Sequence, residues 1–177
     1  MESVATAFLT ESGRYLTEEY LPKIRAALVP LSDDDVWWRP NEASNSIGNL
    51  LLHLAGNVRQ WIVAGVGGAT DQRDRSAEFT ARGSVTKDQA LATLESAVAN
   101  AAAVLSALPP SRLPAQVRIQ GRDTTVFDAI YHVIEHFSTH TGQILWIAKA
   151  RSGRDLGFYQ DAGGLAKPQW PGARPID

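Results

Sequence analysis

The chain contains no cysteine among its 177 residues. This absence excludes disulfide bonds, cysteine-ligated zinc, iron–sulfur clusters and a cysteine nucleophile. An excess of one charge is also lacking, since 17 Lys and Arg stand against 19 Asp and Glu, for a formal net charge of -2. Proteins that bind nucleic acid usually carry a basic patch or stripe. We therefore expect no nucleic acid among the partners.

Long apolar runs are missing as well. No stretch approaches the roughly 18 uninterrupted apolar residues that indicate a transmembrane helix, so no membrane association is expected. The N-terminal sequence MESVATAFLTESGRYL carries early acidic residues and no basic region, unlike a secretory signal. These features favour a cytoplasmic protein. The length and the hydrophobic content of 44% fit a single globular domain over residues 1–177.

Apolar periodicity and capping residues predict an all-α protein. Pro22 should kink or split the first helix, because proline lacks the backbone N–H that a helix interior needs. The links before and after the third helix are long enough to permit crossovers, since simple bundles use about 2–8 residues. The four predicted helices cover about 3–29, 46–65, 87–107 and 125–151.

Three shorter segments have their own signals. The sequence AQVRIQGRDTTV (115–126) alternates apolar and polar residues around a glycine, which indicates a short hairpin. The run DQRDRSAEFTAR (71–82) mixes acids with arginines and is expected to be a solvated loop. The tail 152–177 is rich in Gly and Pro, so we expect an irregular coil packed on the helices.

Histidine is scarce, and its placement is therefore informative. Only four are present, and three of them occur at steps of four in HVIEHFSTH (132–140). Residues four apart in a helix lie about 40° apart around its axis, so they form one narrow stripe. On the fourth helix this stripe contains His132, His136, His140 and Gln143. A second polar stripe, on the second helix, contains Asn49, His53, Asn57 and Gln60.

Two histidines at i and i+4 can hold one metal ion, and a third ligand can come from another helix. The sequence offers His53, His136 and His140 for this purpose, with His132 as a spare or supporting group. Glu135 points about 100° away from the stripe and is a poor ligand candidate. The pattern is equally compatible with a solvated polar face, or with core histidines bonded to backbone and to asparagine side chains.

Two segments carry a family resemblance. SNSIGNLLLHLAGNVRQWI (44–62) and DAIYHVIEHFSTHTGQI (128–144) together resemble the DinB-like (DinB/YfiT) superfamily of metal-dependent enzymes. The superfamily pattern has one histidine midway along the second helix, and His-x-x-x-His followed by Gly-Gln on the fourth. Here the pattern falls on His53, His136, His140, Gly142 and Gln143.

The resemblance implies a four-helix bundle of up-down-down-up topology, often a homodimer. It implies a divalent metal, commonly nickel or zinc, on the three histidines. Relatives with known activities depend on thiols, so we expect transfer of a low-molecular-weight thiol to a small electrophile. Asn57, Gln60 and Gln143 would then orient substrate or water, and the motif does not require His132.

Two other functions remain open at the level of the sequence. One is a metal-dependent hydrolase, and the other is a non-catalytic module in which the metal only stabilises or senses. No carboxylate shares the histidine stripe, so the sequence indicates no general base for hydrolysis. Because a metal-bound thiolate is itself the nucleophile, this gap favours thiol chemistry.

Overall fold

The structure is a computed structural model and describes residues 2–174. Helices make up most of it, and the first long helical segment runs nearly as the sequence predicts. It begins after Ser3, whose side chain accepts a hydrogen bond from the backbone N–H of Thr6. Pro22 lies in the first turn of the helix α2, where its missing N–H is tolerated. The predicted interruption is observed as a change from π-helix to α-helix just before this proline. The segment consists of α1 (Val4–Arg14), a π-helical stretch (Tyr15–Tyr20) and α2 (Leu21–Leu28).

A second long segment follows the short helix α3 (Asp33–Trp37) and consists of α4 (Ile47–Val58) with a π-helical stretch (Arg59–Val66). α4 begins with a capping box. The side chain of Ser46 accepts from the backbone of Asn49, and the side chain of Asn49 accepts from the backbone of Ser46. The amide nitrogen of Asn49 also donates to two backbone carbonyls near residue 80, at 2.9 and 3.0 Å.

Those carbonyls belong to the end of α5 (Arg75–Thr80) and the residue after it. α5 lies inside the charged run that we expected to be a solvated loop, and that expectation is wrong for residues 75–80. The helix packs on α4, and the side chain of Glu78 is buried. Asn49 therefore joins the start of α4 to a segment that is about thirty residues further along the chain.

The remaining α-helices are α6 (Lys87–Ala107) and α7 (Val126–Ser152), whose bounds match the predicted ranges within one residue, and a short 3-10 helix (Pro110–Arg112) lies between them. Thr86 and Gln89 form the capping box before α6, and Thr125 caps α7. α7 ends at Gly153, whose φ of 65° is the left-handed conformation that glycine adopts without steric cost.

Two antiparallel hairpins complete the described chain. β1 (Gln116–Ile119) and β2 (Arg122–Thr125) form the hairpin that the sequence predicts. β3 (Tyr159–Asp161) and β4 (Ala166–Pro168) form a second one in the tail, so the expectation of an irregular tail is wrong for these residues. Trp170 is buried and donates its indole N–H to the carbonyl of Glu18 at 3.1 Å, which fastens the tail to the first helical segment. Residues 175–177 of the predicted tail lie outside the described residues.

The long helical segments share one apolar core. α6 contacts α1 and α4, and α7 contacts α2 and α4. α6 is long and apolar enough to cross a membrane by length and composition alone. Its buried residues, among them Leu94, Val98 and Leu105, pack into this core. Fully buried side chains from all four segments meet there, among them Leu16, Ile24, Leu54, Leu94, Ile130 and Phe137.

Candidate metal centre

Two packed helices carry all four histidines. α4 holds His53 at its centre, and α7 holds the other three along one side. The two helices contact each other, so the two polar stripes face a common space. Apolar side chains beside the stripes are buried in the core and fix the rotation of each helix about its axis. These side chains are Leu50, Leu54, Val133, Phe137 and Ile144.

Three imidazole nitrogens converge in this space. The Nε2 atom of His136 lies 3.1 Å from Nε2 of His53 and 3.2 Å from Nε2 of His140. One nitrogen from each of the three residues lies within 4.8 Å of the other two. His53 is buried, and the other two are half-buried. The structure therefore brings together the three histidines that the sequence offers as ligands.

Hydrogen bonds on the far side of two rings determine which nitrogen carries the proton. His53 Nδ1 lies 2.9 Å from Oε2 of Glu78, and His140 Nδ1 lies 2.7 Å from Oε1 of Gln143. A carboxylate and an amide oxygen only accept hydrogen bonds, so each Nδ1 carries the hydrogen. The Nε2 atoms of His53 and His140 are then left with lone pairs that point toward His136.

Arg73 offers a competing partner to His53, because its Nη2 lies 3.1 Å from the same Nδ1. An arginine donates only, so this contact would require a lone pair on Nδ1. Such a lone pair would face the Glu78 carboxylate at 2.9 Å and be repelled by it. Nη2 already donates to Oε2 of Glu78 at 2.8 Å. We therefore assign the hydrogen to Nδ1 of His53 and its bond to Glu78.

The donor set fits a divalent metal ion. A proton on Nε2 of His136 could form a good hydrogen bond with only one of its two neighbours, whereas a metal binds all three lone pairs. Two imidazole nitrogens about 2.1 Å from one metal lie about 3.0–3.4 Å apart at the usual bond angles. The separations of 3.1 and 3.2 Å fall in that range. The cluster could thus hold a divalent metal.

Burial keeps the rings of His136 and His140 neutral. It lowers the pKa of His136 to about 3, and the neighbouring imidazoles of His140 and His53 add to the effect. Burial also lowers the pKa of His140, although the hydrogen bond to Gln143 acts in the opposite direction. Neutral imidazole is the form that binds metals, so both rings are ready to ligate at neutral pH.

A buried ion pair supports His53 from behind. Arg73 donates through Nε to Oε1 of Glu78 at 2.7 Å and through Nη2 to Oε2 at 2.8 Å. Only 3% and 9% of the Arg73 and Glu78 side chains are exposed. Burial alone would raise the pKa of Glu78, but the hydrogen bonds from Arg73 and His53 outweigh it and lower the pKa. Glu78 is therefore an ionised acceptor.

Sequence reasoning missed Arg73 and Glu78, because both lie in the charged run 71–82. Both side chains can approach α4 because residue 56 is a glycine. A Cβ atom at Gly56 would lie 1.9 Å from Oε1 of Glu78, so only glycine leaves room for the carboxylate. A glycine three residues after His53, on a well-capped helix, is the one sequence signal that something approaches closely there.

The other predicted site residues lie around the cluster in two groups. Asn57 and His132 pair one turn away from it, with the Asn57 Nδ2 atom 3.3 Å from Nε2 of His132. Gln60 belongs instead to the Arg73 network. Its Oε1 accepts from Arg73 at 3.0 Å, and its Nε2 donates to Asp71 at 2.7 Å. The chain is π-helical from residue 59 onward, which shifts Gln60 from the position that an α-helical stripe predicts.

Glu135 lies outside the cluster, as its position off the stripe predicts. Its side chain is exposed and accepts a hydrogen bond from the hydroxyl of Thr139 at 3.3 Å. Trp61 is buried, and its indole packs against His132 with ring centroids 4.4 Å apart. Trp61 is therefore a packing residue of the core beside His132.

Two surface cavities lie beside the cluster, and each is lined by side chains that contact one of its histidines. One, of about 570 Å³, is lined by Arg73 and Glu78. The other, of about 550 Å³, is lined by Gln143, Thr139 and the indole of Trp146, with no charged side chain in its wall. None of the three histidines lines either cavity. The second cavity reaches the cluster through Gln143, whose side chain hydrogen-bonds to the half-buried His140.

These features define a helical protein with a three-histidine cluster that could hold a divalent metal. Over residues 3–158 the chain matches the family described as "Protein of unknown function (DUF1572)", and it belongs to that family. The match includes both helices that carry the histidines and ends before the hairpin of β3 and β4. No curated protein matches the chain.

Proposed function

We propose that His53, His136 and His140 bind one divalent metal ion, nickel or zinc, through their Nε2 atoms. The observation that carries this proposal is the convergence of these nitrogens, with Nδ1 hydrogens of two rings fixed by Glu78 and Gln143. Histidine ligands of metals usually donate their second N–H in this way. Three protein nitrogens leave coordination positions for water or substrate, which is typical of catalytic sites.

We also infer that the chain is a member of the DinB/YfiT superfamily and folds as a four-helix bundle of up-down-down-up topology. The motif His136-x-x-x-His140-x-Gly142-Gln143 and the single histidine on α4 support the membership. The contacts support the bundle, because each of the four long helical segments packs on two others.

The reaction we propose is transfer of a low-molecular-weight thiol to a small electrophile. A divalent metal held by the three imidazoles would keep its full charge and would lower the pKa of a thiol or water bound to it. The thiol would lose its proton to solvent, and its sulfur would bond to the electrophile as the leaving group of the electrophile departs. The chain supplies no cysteine, so the sulfur must come from a cosubstrate. Glu78, the carboxylate nearest to His53, uses both oxygens on Arg73 and His53 and is not free to act as a general base.

The uncharged wall of the cavity beside Gln143 supports a neutral electrophile as the second substrate. Gln143 and Thr139 offer hydrogen-bonding groups near His140, and Trp146 offers an apolar surface. Gln143 would be held in place by its bond to His140, so its amide nitrogen is the group available to a substrate oxygen.

The first experiment is metal analysis of protein purified without a histidine-rich tag. We expect about one nickel or zinc ion per chain in the wild type and little in His140→Ala. A wild-type protein that binds no divalent metal, even after incubation with nickel or zinc, would contradict the proposed centre.

The second experiment tests the reaction. Metal-loaded protein is incubated with bacillithiol, mycothiol or glutathione and a chromogenic electrophile such as an aryl halide, with apo protein and His140→Ala as controls. A thiol-dependent rate above both controls is the expected result. Hydrolysis of esters or amides without any thiol-dependent rate would favour the hydrolase instead. A metal-loaded protein that is inactive in both assays would favour a non-catalytic module.

A further inference from the structure

Three buried side-chain atoms have no hydrogen-bond partner within residues 2–174, and all three belong to residues that contact His132. They are Oδ1 of Asn57, Nε1 of Trp61 and Nδ1 of His136. His132 contacts each of these residues. Its Nε2 lies 3.3 Å from Nδ2 of Asn57, and its ring centroid lies 4.4 Å from the Trp61 ring and 5.3 Å from the His136 ring. Buried polar atoms in proteins nearly always have a partner, either protein or ordered water.

We propose that this group, which we name the His132 chamber (Asn57, Trp61, His132 and His136), binds one uncharged hydroxylic ligand. In the free protein that ligand is a water molecule. It bonds to Trp61 and Asn57 and orients the ring of His136. Water can occupy the chamber with or without a metal, because it can either accept from or donate to Nδ1 of His136. The donor role of Nδ1 and the effect on metal affinity rest on the function proposed above.

The hydrogen-bonding character of the three atoms selects the ligand. Trp61 Nε1–H can only donate. Asn57 Oδ1 can only accept, since the amide nitrogen is the atom that faces His132. When Nε2 of His136 ligates a metal, the hydrogen of the neutral ring lies on Nδ1, which then donates. One hydroxyl or water oxygen accepts two hydrogen bonds and donates a third. A carboxylate or a halide cannot donate to Asn57, and an ammonium group cannot accept from Trp61.

The proposed water completes a pattern among the three histidines. His53 donates to the carboxylate of Glu78, and His140 donates to the amide of Gln143. His136 is the central ring of the cluster, yet its second nitrogen contacts no protein acceptor within residues 2–174. Metal-binding histidines almost always donate this hydrogen to a carboxylate, a carbonyl or a water. The His132 chamber therefore supplies the third orienting group as bound solvent.

A crystal structure of the wild-type protein at a resolution that shows ordered water tests the site directly. We expect one density peak within about 2.7–3.2 Å of Oδ1 of Asn57 and both unpartnered nitrogens. A second crystal, soaked in sodium bromide, should show no anomalous peak there. If the Asn57 amide were reversed, the chamber would present three donors and bind an anion, so a bromide peak would overturn the proposal. A chamber without density would also overturn it.

The variant Trp61→Phe tests the effect on His136. It removes the indole N–H but keeps an aromatic ring, and we expect the metal dissociation constant to rise about tenfold. Trp170→Phe is the matched control, because it removes an indole N–H that bonds to Glu18, and it should bind metal as the wild type does. Unchanged affinity in Trp61→Phe would contradict the orienting role, and if that variant fails to fold, the wild-type density decides.

These outcomes separate the two proposals. A wild type that binds no metal would overturn the proposed centre, while density in the chamber would still support the water site. If the wild-type protein binds metal but shows no density in the chamber, only the water site is overturned.

Discussion

Glu78 accepts a hydrogen bond from Nδ1 of His53 at 2.9 Å, although the two residues are 25 positions apart in the chain. This contact makes the segment around α5 a part of the candidate centre. Arg73 donates two hydrogen bonds to the carboxylate of Glu78, and Asn49 donates one to the backbone carbonyl of Glu78. Glu78 is thus fixed from both ends, which in turn fixes the orientation of the His53 ring.

Replacement of Glu78 by Gln should weaken metal binding by about 10–100-fold, the usual effect of losing a group that orients a ligand. Glutamine keeps the size of the side chain but removes the negative charge that supports the His53 N–H and offsets the charge of the metal. Competition against a chelating dye would give the dissociation constants. Glu95→Gln is the control, since Glu95 pairs with Arg25 at 2.6 Å on the surface. Equal affinities in both variants would show that Glu78 does not support the centre.

Gly56→Ala should both destabilise the protein and weaken metal binding. Its Cβ would lie 1.9 Å from Oε1 of Glu78, so either the carboxylate or the whole of α5 must move. Overpacking of this kind costs about 1–3 kcal/mol, measurable by urea unfolding. The control is Gly13→Ala on α1, where a Cβ meets no atom within 4 Å. That variant should gain up to about 1 kcal/mol, because alanine favours helix over glycine. If Gly56→Ala changed neither the free energy of unfolding nor the affinity for metal, the carboxylate of Glu78 would be easily displaced.

The sequence was sufficient to predict what depends on periodicity and capping. The range of α6 and the β1–β2 hairpin follow from local patterns that the structure shares. The convergence of His53 with His136 and His140 joins residues 83 positions apart, and the family resemblance was needed to favour it over a solvated polar face. A histidine stripe beside an apolar face must lie near the core, and two such stripes meet if their helices pack together. Each stripe needs only the geometry of an α-helix, whereas the meeting of the two stripes also needs α4 to pack on α7.

What the sequence could not predict depends on long-range contacts. α5 has six residues, too few to show a period, and its burial depends on Gly56 and Asn49 of a different helix. The charges of Arg73 and Glu78 resemble a solvated surface until each is seen to neutralise the other. The tail hairpin is held by Trp170 against the first helical segment, a contact across 152 positions.

The ion pair of Asp35 and Arg151 should contribute to the acid sensitivity of the fold. The hydrogen bond from Arg151, together with those from Ser32, lowers the pKa of Asp35 from 3.8 to about 2. Because the folded pKa lies below the unfolded one, the stabilisation is present above about pH 4 and is lost as the pH falls toward 2. The free energy of unfolding of the wild type should therefore fall more steeply between pH 4 and 2 than that of Arg151→Gln.

The control for that comparison is Arg118→Gln, because Arg118 pairs with Asp123 at 2.8 Å on an exposed hairpin. Exposed pairs contribute little, so this variant should follow the wild-type pH profile. Urea unfolding at several pH values would give the three curves. Parallel curves for the wild type and Arg151→Gln would show that the pair does not respond to acid as proposed.

The roles of His136 and His132 can be separated by two alanine variants. His136 lies at the centre of the cluster, with its Nε2 atom 3.1 and 3.2 Å from those of His53 and His140. His132 lies one turn away and directs its Nε2 toward Asn57. His136→Ala removes the ligand shared by both close contacts, so it should lose most of the bound metal. His132→Ala leaves the three converging nitrogens in place and should retain about one metal per chain when metal is in excess.

Metal content after gel filtration, measured by elemental analysis, gives the comparison, and circular dichroism shows whether each variant is folded. Equal loss of metal from two folded variants would mean that His132 is a ligand and that the ligand set assigned here is wrong.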